Sequence, residues 1–516
     1  MNDGQNAFQV AWRAAVSPRV LRRAAWVLIA AGFAARLSQY LDNRALWLDE
    51  AVLAHHMLVD STTRLFGPLG DCMAPPGYLI SGKALIAILG PCEYAVRLPS
   101  IAAALAALVL FYALARRMVG SPAAVAGLAF MTVNAHLIYY AAEVRPYAVD
   151  TAMVLLILWL AVPAKNATVA ISWPRVALLT LVGACAPWFS FPSVFALAGV
   201  GLVQLADGVL RKDARNVRRC AVAWTAWGVS LATLYSAVIM RVAADPQTMG
   251  VMNDYYVFAG AFVPLPPESW RDVKSLWLVF LRTFDNPGGL TLPMLGAFAW
   301  LAGCLVLLHE KRGVLAFLLA PLAFALTASS LELYPFYART ILYVTPFVAL
   351  PIGVAIGRLA ETSRWRIQAL AGLLAVLLLA HPAARAARNT LRPSVHHELK
   401  PLLEYARSHW QPGDMLYVPY PVNYSFEFCR GAFAFEEKDV IVEPAITDYT
   451  WEERGALLAN QMPAWRARGR VWVPFTFDLT QAADSWWALI DQQGKMGCAD
   501  EYRRAGAVLR LYTPSP

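Results

Sequence analysis

The sequence predicts an α-helical polytopic membrane protein with a small α/β domain at its C-terminal end. Three observations predict this. Of 516 residues, 58% are hydrophobic and 15% charged; apolar runs of membrane-span length recur between residues 24 and 386; and beyond about residue 390 the runs shorten while charges return. An ordinary soluble domain is far less apolar. The net charge of +9 does not denote nucleic acid, because no basic run is interleaved with aromatics on a polar face and the arginines fall in short loops.

A span needs roughly 20 mainly apolar residues. Such runs lie near 24–41, 98–115, 122–139, 147–163, 176–188, 192–210, 220–240, 290–308, 313–330, 340–357 and 367–386, about eleven in all. No A-x-A-like cleavage site follows the first, so it reads as a retained span. The stretch "PPGYLISGKALIAILGP", residues 75–91, has a short apolar core carrying Lys83 and reads as an interfacial helix. On that reading the basic clusters alternate as the positive-inside rule requires. Arg13, Arg19, Arg22 and Arg23, then Arg116 and Arg117, Lys165 and Arg175, Arg211 to Arg219, Lys311 and Arg312, and Arg358, Arg364 and Arg366 all fall on one side. The N-terminus is then cytoplasmic and the C-terminal domain outside.

That domain, residues 390–516 after a membrane domain of 1–389, shows strand-like runs "DMLYVPY", "DVIVEP", "RVWVPF" and "GAVLRLY". Between them lies "TWEERGALLANQMPAWRAR", with apolar residues at helical spacing. Of seven cysteines, Cys72, Cys92, Cys429 and Cys498 fall outside, where two disulfides could form; spacing assigns no connectivity.

With this topology, charged groups gather on the outer side. The first external loop carries "WLDEA" with Asp49 and Glu50, and "YYAAEVRPYA" carries Glu143, Arg145 and Tyr147. "LELYPFYARTILYVTPF" adds Glu332 and Arg339, and a long loop at 241–289 with "NDYYVF" could overhang them. An interfacial carboxylate can serve as general base, and an arginine at the same depth can neutralise a lipid phosphate. Lys83 or Arg97 could add a second cation. Each element also has a plain reading: acids favour helix N-termini, an arginine at a span end snorkels, "PPGY" is a helix start, and His55 and His56 pack at the surface.

The ordered set "WLDEA", "APPGYLI", "VRLPS", "YYAAEVRPYA" and "YARTILYVTPF", ahead of an external α/β domain, resembles bacterial GT-C glycosyltransferases. The nearest grouping is that of family 39, protein-mannosyltransferase-like, and aminoarabinose-transferase-like enzymes. The resemblance implies a GT-C fold and transfer of a sugar from a polyprenyl-phosphate donor to an acceptor hydroxyl, in one inverting displacement outside the cytoplasmic membrane. It implies Asp49 as general base, Glu143 as a second catalytic acid, and Arg339 on the donor phosphate. Glu50, Lys83, Tyr78, Arg145 and Tyr147 are the further substrate-binding candidates. The acceptor would be a glycan, a lipid or a protein. No cofactor is implied, although Asp49, Glu50 and Glu143 could hold a divalent cation. Aminoarabinose transferases carry a lysine just ahead of the "PPGY" turn, where this chain has Met73 and Ala74. The competing class is a transporter or flippase of lipid-linked saccharides, which would place ionisable groups within its spans; a scaffold with structural acids is a third.

Overall fold

The computed structural model describes residue 9 and residues 11–514, except 71, 164–171, 394–396, 421, 444–450, 477–486 and 492–495; the side chains of 247, 251–254, 451, 452 and 454 also lie outside the description. The chain divides into two compact units. The first comprises Met1–Leu41, Phe66–Tyr78 and Leu98–Pro393, and the second Asp42–Leu65, Leu79–Arg97 and Ser394–Pro516. The second therefore takes in two early segments that the sequence reading assigned to the membrane domain.

Among the described residues, seven helices are long and apolar enough to cross a membrane: Glu93–Val119, Ser193–Leu210, Ala214–Ala243, Pro293–Glu310, Arg312–Ser330, Ala338–Ala360 and Trp365–Leu391. The pair Ser121–Val133 and Ala135–Ala142, bent by 59°, makes an eighth. The other three of the eleven runs read from the sequence also form helices, each shorter or more charged than these. Tyr147–Ala161 has 15 residues and Trp173–Phe189 has 17, so at 1.5 Å per residue each falls short of a ~30 Å core. Pro18–Leu41 is long enough but carries Arg19, Arg22, Arg23 and Arg36. Pro76–Leu89, with 14 residues, spans only about 21 Å, too short to cross.

The first unit is built around Ala338–Ala360, whose whole apolar window is buried. Its close neighbour is Ser121–Val133, and small residues permit the approach. A Cβ on Gly353 would stand 2.5 Å from the Ala123 carbonyl oxygen, and one on Gly357 2.7 Å from the Ala123 nitrogen. A small-xxx-small face of this kind lets two backbones meet where lipid supplies no hydrophobic drive between helices. Apolar side chains such as Phe111, Leu128, Leu155 and Phe347 fill the surrounding core.

The stretch 241–289, read from sequence as an overhanging loop, is largely helical. Asp245 caps Pro246–Phe258 by accepting from the Thr248 N–H at 3.0 Å. Ser269 and Asp272 form a capping box at the start of Trp270–Asp285. Pro246 opens the first of these helices, while Pro264, Pro266 and Pro267 fall in the connection between the two and Pro287 in the turn after the second. The Asn253 and Asp254 side chains of "NDYYVF" lie outside the described residues.

In the second unit a five-stranded sheet has the order β2-β1-β3-β5-β4, with β1 Met415–Val418, β2 Val440–Val442, β3 Val471–Phe475, β4 Met496–Arg504 and β5 Ala507–Pro514. The pairs β2-β1 and β1-β3 are parallel, with Leu416 opposite Val440 and Met415 opposite Val471; β3-β5 and β5-β4 are antiparallel. All five residues of β3 are buried, because both faces are covered. Leu416, Val418 and Trp472 meet Leu399–Ser408 and Val422–Cys429 on one face, and Met415, Tyr417 and Val473 meet Leu458, Met462 and Trp465 of Trp451–Arg468 on the other. The edge strand β4 is charged and carries a bulge at Cys498/Asp500, both devices that discourage edge pairing. No disulfide links any of the seven cysteines, so neither sequence-suggested disulfide is formed.

Candidate functional site

In the second unit, Asp49 and Glu50 occupy the first turn of Leu48–Val59, where free N–H groups favour carboxylates. The two acids differ in burial. Glu50 is 0% exposed and receives both forks of Arg97: Nε to Oε1 at 2.9 Å and Nη2 to Oε2 at 2.7 Å. Arg97, 1% exposed, also donates to the carbonyls of Arg44 at 2.7 Å and Ala45 at 3.4 Å. This is a bidentate, buried pair, which brings the sequence candidate Glu50 and the candidate cation Arg97 together. Asp49 is only partly buried.

Residues far along the chain hold the segment before Asp49. The Ser425 hydroxyl donates to the Leu46 carbonyl at 3.0 Å, and Trp47 stacks on His397 with centroids 6.3 Å apart. Lys400 bridges to Glu93 at 2.7 Å and reaches the Asn43 carbonyl. Lys83 sits partly buried in the same unit, donating to the Met57 carbonyl at 3.3 Å. His55 packs edge-on against Tyr424, and His56 contacts Asp60 at 2.8 Å. No three or more His, Cys, Asp or Glu side chains come together as metal ligands among the described residues.

In the first unit, Glu143, Arg145, Tyr147 and Arg339 come together. The bend that aims them is made by Asn134, whose Oδ1 caps Leu137 N–H at 3.0 Å while its Nδ2 donates to the Pro287 and Gly288 carbonyls at 2.8 and 2.9 Å. The chain then passes through a 3-10 turn, Tyr140–Ala142, to Glu143, which is 0% exposed, and Arg145, which is buried. Arg145 N–H donates back to the Glu143 carbonyl at 2.8 Å. Tyr147 opens the next helix and meets Tyr140 edge-on at 5.3 Å. The charges acting on the Tyr147 hydroxyl are those of Arg339, Arg145 and Glu143, with Tyr256 beside them. Arg339 follows Ala338, whose φ of 44° is left-handed. That conformation is strained for a residue with a Cβ. Thr340 pins it, bonding the Pro335 and Tyr337 carbonyls at 2.8 and 2.7 Å. Glu332, which the sequence grouped with Arg339, is exposed.

Tyr78 has a structural place. It is 1% exposed and its hydroxyl pairs with Ser100 Oγ at 3.1 Å; Ser100 in turn donates to the Arg145 carbonyl at 3.0 Å. Gly77 beside it is required by a close approach, since a Cβ would stand 2.6 Å from the Trp188 carbonyl oxygen. Thus "PPGY", "RLPS" and "EVRP" are joined by one hydrogen-bonded chain that fixes the backbone at Arg145. In the same unit lies an apolar cavity of about 360 Å³. Phe336 and Val344, which bracket Arg339 in sequence, share its wall with Phe280, Phe284 and Trp300.

One group in this unit was missed by the sequence reading. Asp150, 3% exposed, lies one helical turn past Tyr147. A single acid in the apolar run 147–163 was its only signal.

A polytopic helical bundle with a small mixed α/β domain is the GT-C class of fold, which the comparisons establish. The chain is similar to ArnT from Cupriavidus metallidurans in the apo state, with a TM-score of 0.56 at 13% identity, covering 94% of this chain and 97% of that one. The same protein bound to undecaprenyl phosphate gives 0.53 at 12% identity, with the same coverage. The archaeal oligosaccharyltransferase AglB from Archaeoglobus fulgidus, in complex with an inhibitory peptide and a dolichol-phosphate, gives 0.54 at 10%, covering 96% of this chain and 74% of AglB. No family model and no curated protein matches the chain. At such identities the likeness is one of fold.

Proposed function

We propose that the chain is a membrane glycosyltransferase that moves a sugar from a polyprenyl-phosphate donor to an acceptor hydroxyl on the outer face of the cytoplasmic membrane. The observation carrying this reading is the first unit's pair of cations, Arg145 and Arg339, gathered at Tyr147 and Glu143, with an apolar cavity of about 360 Å³ along the Arg339 segment. A phosphate wants the guanidinium groups; an isoprenoid tail wants the cavity, whose size is that of a ligand pocket. The solved relatives of this fold that hold undecaprenyl phosphate and dolichol-phosphate support the donor class.

Asp49 is the proposed general base. The acceptor oxygen attacks the anomeric carbon, the bond from that carbon to the phosphate oxygen breaks, the hydroxyl proton passes to the Asp49 carboxylate, and polyprenyl phosphate leaves. Inversion follows from the single displacement, and no covalent glycosyl-enzyme intermediate is needed. Arg339 and Arg145 neutralise the leaving phosphate, Glu143 orients a sugar or acceptor hydroxyl, and no step passes through a metal.

The test is transfer from radiolabelled polyprenyl-phosphate sugars by wild type and Asp49→Asn. Turnover should fall by roughly 10²–10⁴-fold with donor binding and melting temperature kept; equal turnover in the two proteins would sink the assignment. The second reading, a flippase, is favoured by one observation, the buried Arg36 and Asp150 within apolar helices. It predicts translocation of a lipid-linked sugar across vesicles without any transferred product.

A further inference from the structure

Asp150 has no counter-charge. Among the described residues no arginine, lysine or histidine pairs with it, and its polar surroundings are the hydroxyls of Ser190, Tyr343 and Tyr334. Ser190, 0% exposed, sits at the break between Trp173–Phe189 and Ser193–Leu210. Tyr343, 1% exposed, lies on Ala338–Val344, the segment that carries Arg339. Asp150 Oδ1, Ser190 Oγ and the Tyr343 hydroxyl complete no well-formed hydrogen bond with the described residues. Around them the packing is ordered: Phe195 meets Tyr334 at 5.2 Å and Tyr343 at 6.3 Å, and the Tyr334 hydroxyl donates to the Thr340 carbonyl at 2.8 Å.

Such a node does not stabilise a bundle. Buried polar atoms left short of partners are costly, and well-packed apolar replacements of buried polar groups are commonly neutral or stabilising. Its position is informative instead. The helix bearing Asp150 carries Tyr147 one turn earlier, and the segment bearing Tyr343 carries Arg339. We propose that Asp150, buried on the helix that carries Tyr147 and packs against the segment that carries Arg339, is a positioning residue that sets Tyr147 and Arg339 in register for a lipid-linked phosphate. This rests on the donor class proposed above. A few tenths of an ångström of slip between the two elements would spread the cations from the phosphate they serve.

The experiment measures two quantities on the full chain in detergent: affinity for undecaprenyl phosphate, by intrinsic tryptophan fluorescence, and melting temperature. Asp150→Leu should weaken binding by about tenfold or more while the melting temperature holds or rises. Asp150→Asn, the same shape with hydrogen-bonding capacity kept, should restore binding to near the wild-type value. Tyr343→Phe, which removes one hydroxyl and no volume, should show a smaller loss of the same kind. Unchanged affinity in Asp150→Leu, or a melting temperature that falls with the affinity, overturns the positioning role. Failure of the wild type to bind undecaprenyl phosphate overturns the donor class instead. In that case the thermal arm still judges the node, and a destabilised Asp150→Leu marks it as structural.

Discussion

Each unit buries an acid completely, and the two are treated in opposite ways. Glu50 in the second unit is met by both arms of Arg97, which also ties down the Arg44 and Ala45 carbonyls. Asp150 in the first has the hydroxyls of Ser190, Tyr343 and Tyr334 near it and, among the described residues, no cation paired with it. The first arrangement holds a backbone loop in place. The second adds little to stability. A buried acid therefore says little until its partners are known: one acid is held in a clamp, and the other faces hydroxyls.

The largest effect tests the clamp. Arg97→Ala leaves Glu50 buried and unpaired, which typically costs about 3–5 kcal/mol; the second unit should lose its cooperative melt or shift far down in temperature. Replacing both partners with leucine should recover most of that loss. The measurement is thermal unfolding of the full chain beside protease sensitivity of the C-terminal domain. If Arg97→Ala melts like wild type, Glu50 has another means of compensation and the contrast with Asp150 collapses.

A smaller effect concerns the hydrogen-bonded chain from Tyr78 through Ser100 to the Arg145 carbonyl. Tyr78→Phe keeps the ring and removes one bond, worth about 0.5–1.5 kcal/mol. Stability should fall by that amount and donor affinity should hardly change, because Ser100 still bonds Arg145. A loss of donor affinity larger than the loss of stability would return Tyr78 to the substrate-binding residues.

These pairings explain what could and could not be read from the sequence. The short helix at Pro76–Leu89, the bundle and four of the five strands follow from apolar run length and period. Strand β4, "MGCADEYRR", was missed because an exposed edge strand needs no apolar face. Arg97 was read as a candidate phosphate cation because its partner lies 47 residues away, and no local pattern announces a long-range pair. The left-handed Ala338 beside Arg339 had no signal, since alanine rarely adopts that conformation. Asp150 was swallowed by the apolar run around it. For Arg97 and Asp150 the chain neighbours carried no signal, and the role is decided by spatial neighbours that the sequence does not display.

The smallest effect sharpens the comparison with pH. His55 in the second unit has its pKa held below the usual imidazole value, first by burial and then by the neighbouring His56, against the opposing pull of Glu427 and Asp60. Tyr424 covers one side of the ring at 5.3 Å. The folded state thus resists protonation that the unfolded chain accepts at about pH 6.5. The unfolded chain binds more protons below neutrality, so stability is full above that value and is lost as pH falls through it toward the lowered folded pKa. Melting temperatures of wild type and His55→Gln between pH 8 and 5 read this directly. The wild type should fall more steeply below pH 6.5 than the variant, and the two curves should run parallel above it. Parallel curves throughout would place the acid sensitivity of the second unit elsewhere, with the His56–Asp60 pair at 2.8 Å the next group to remove.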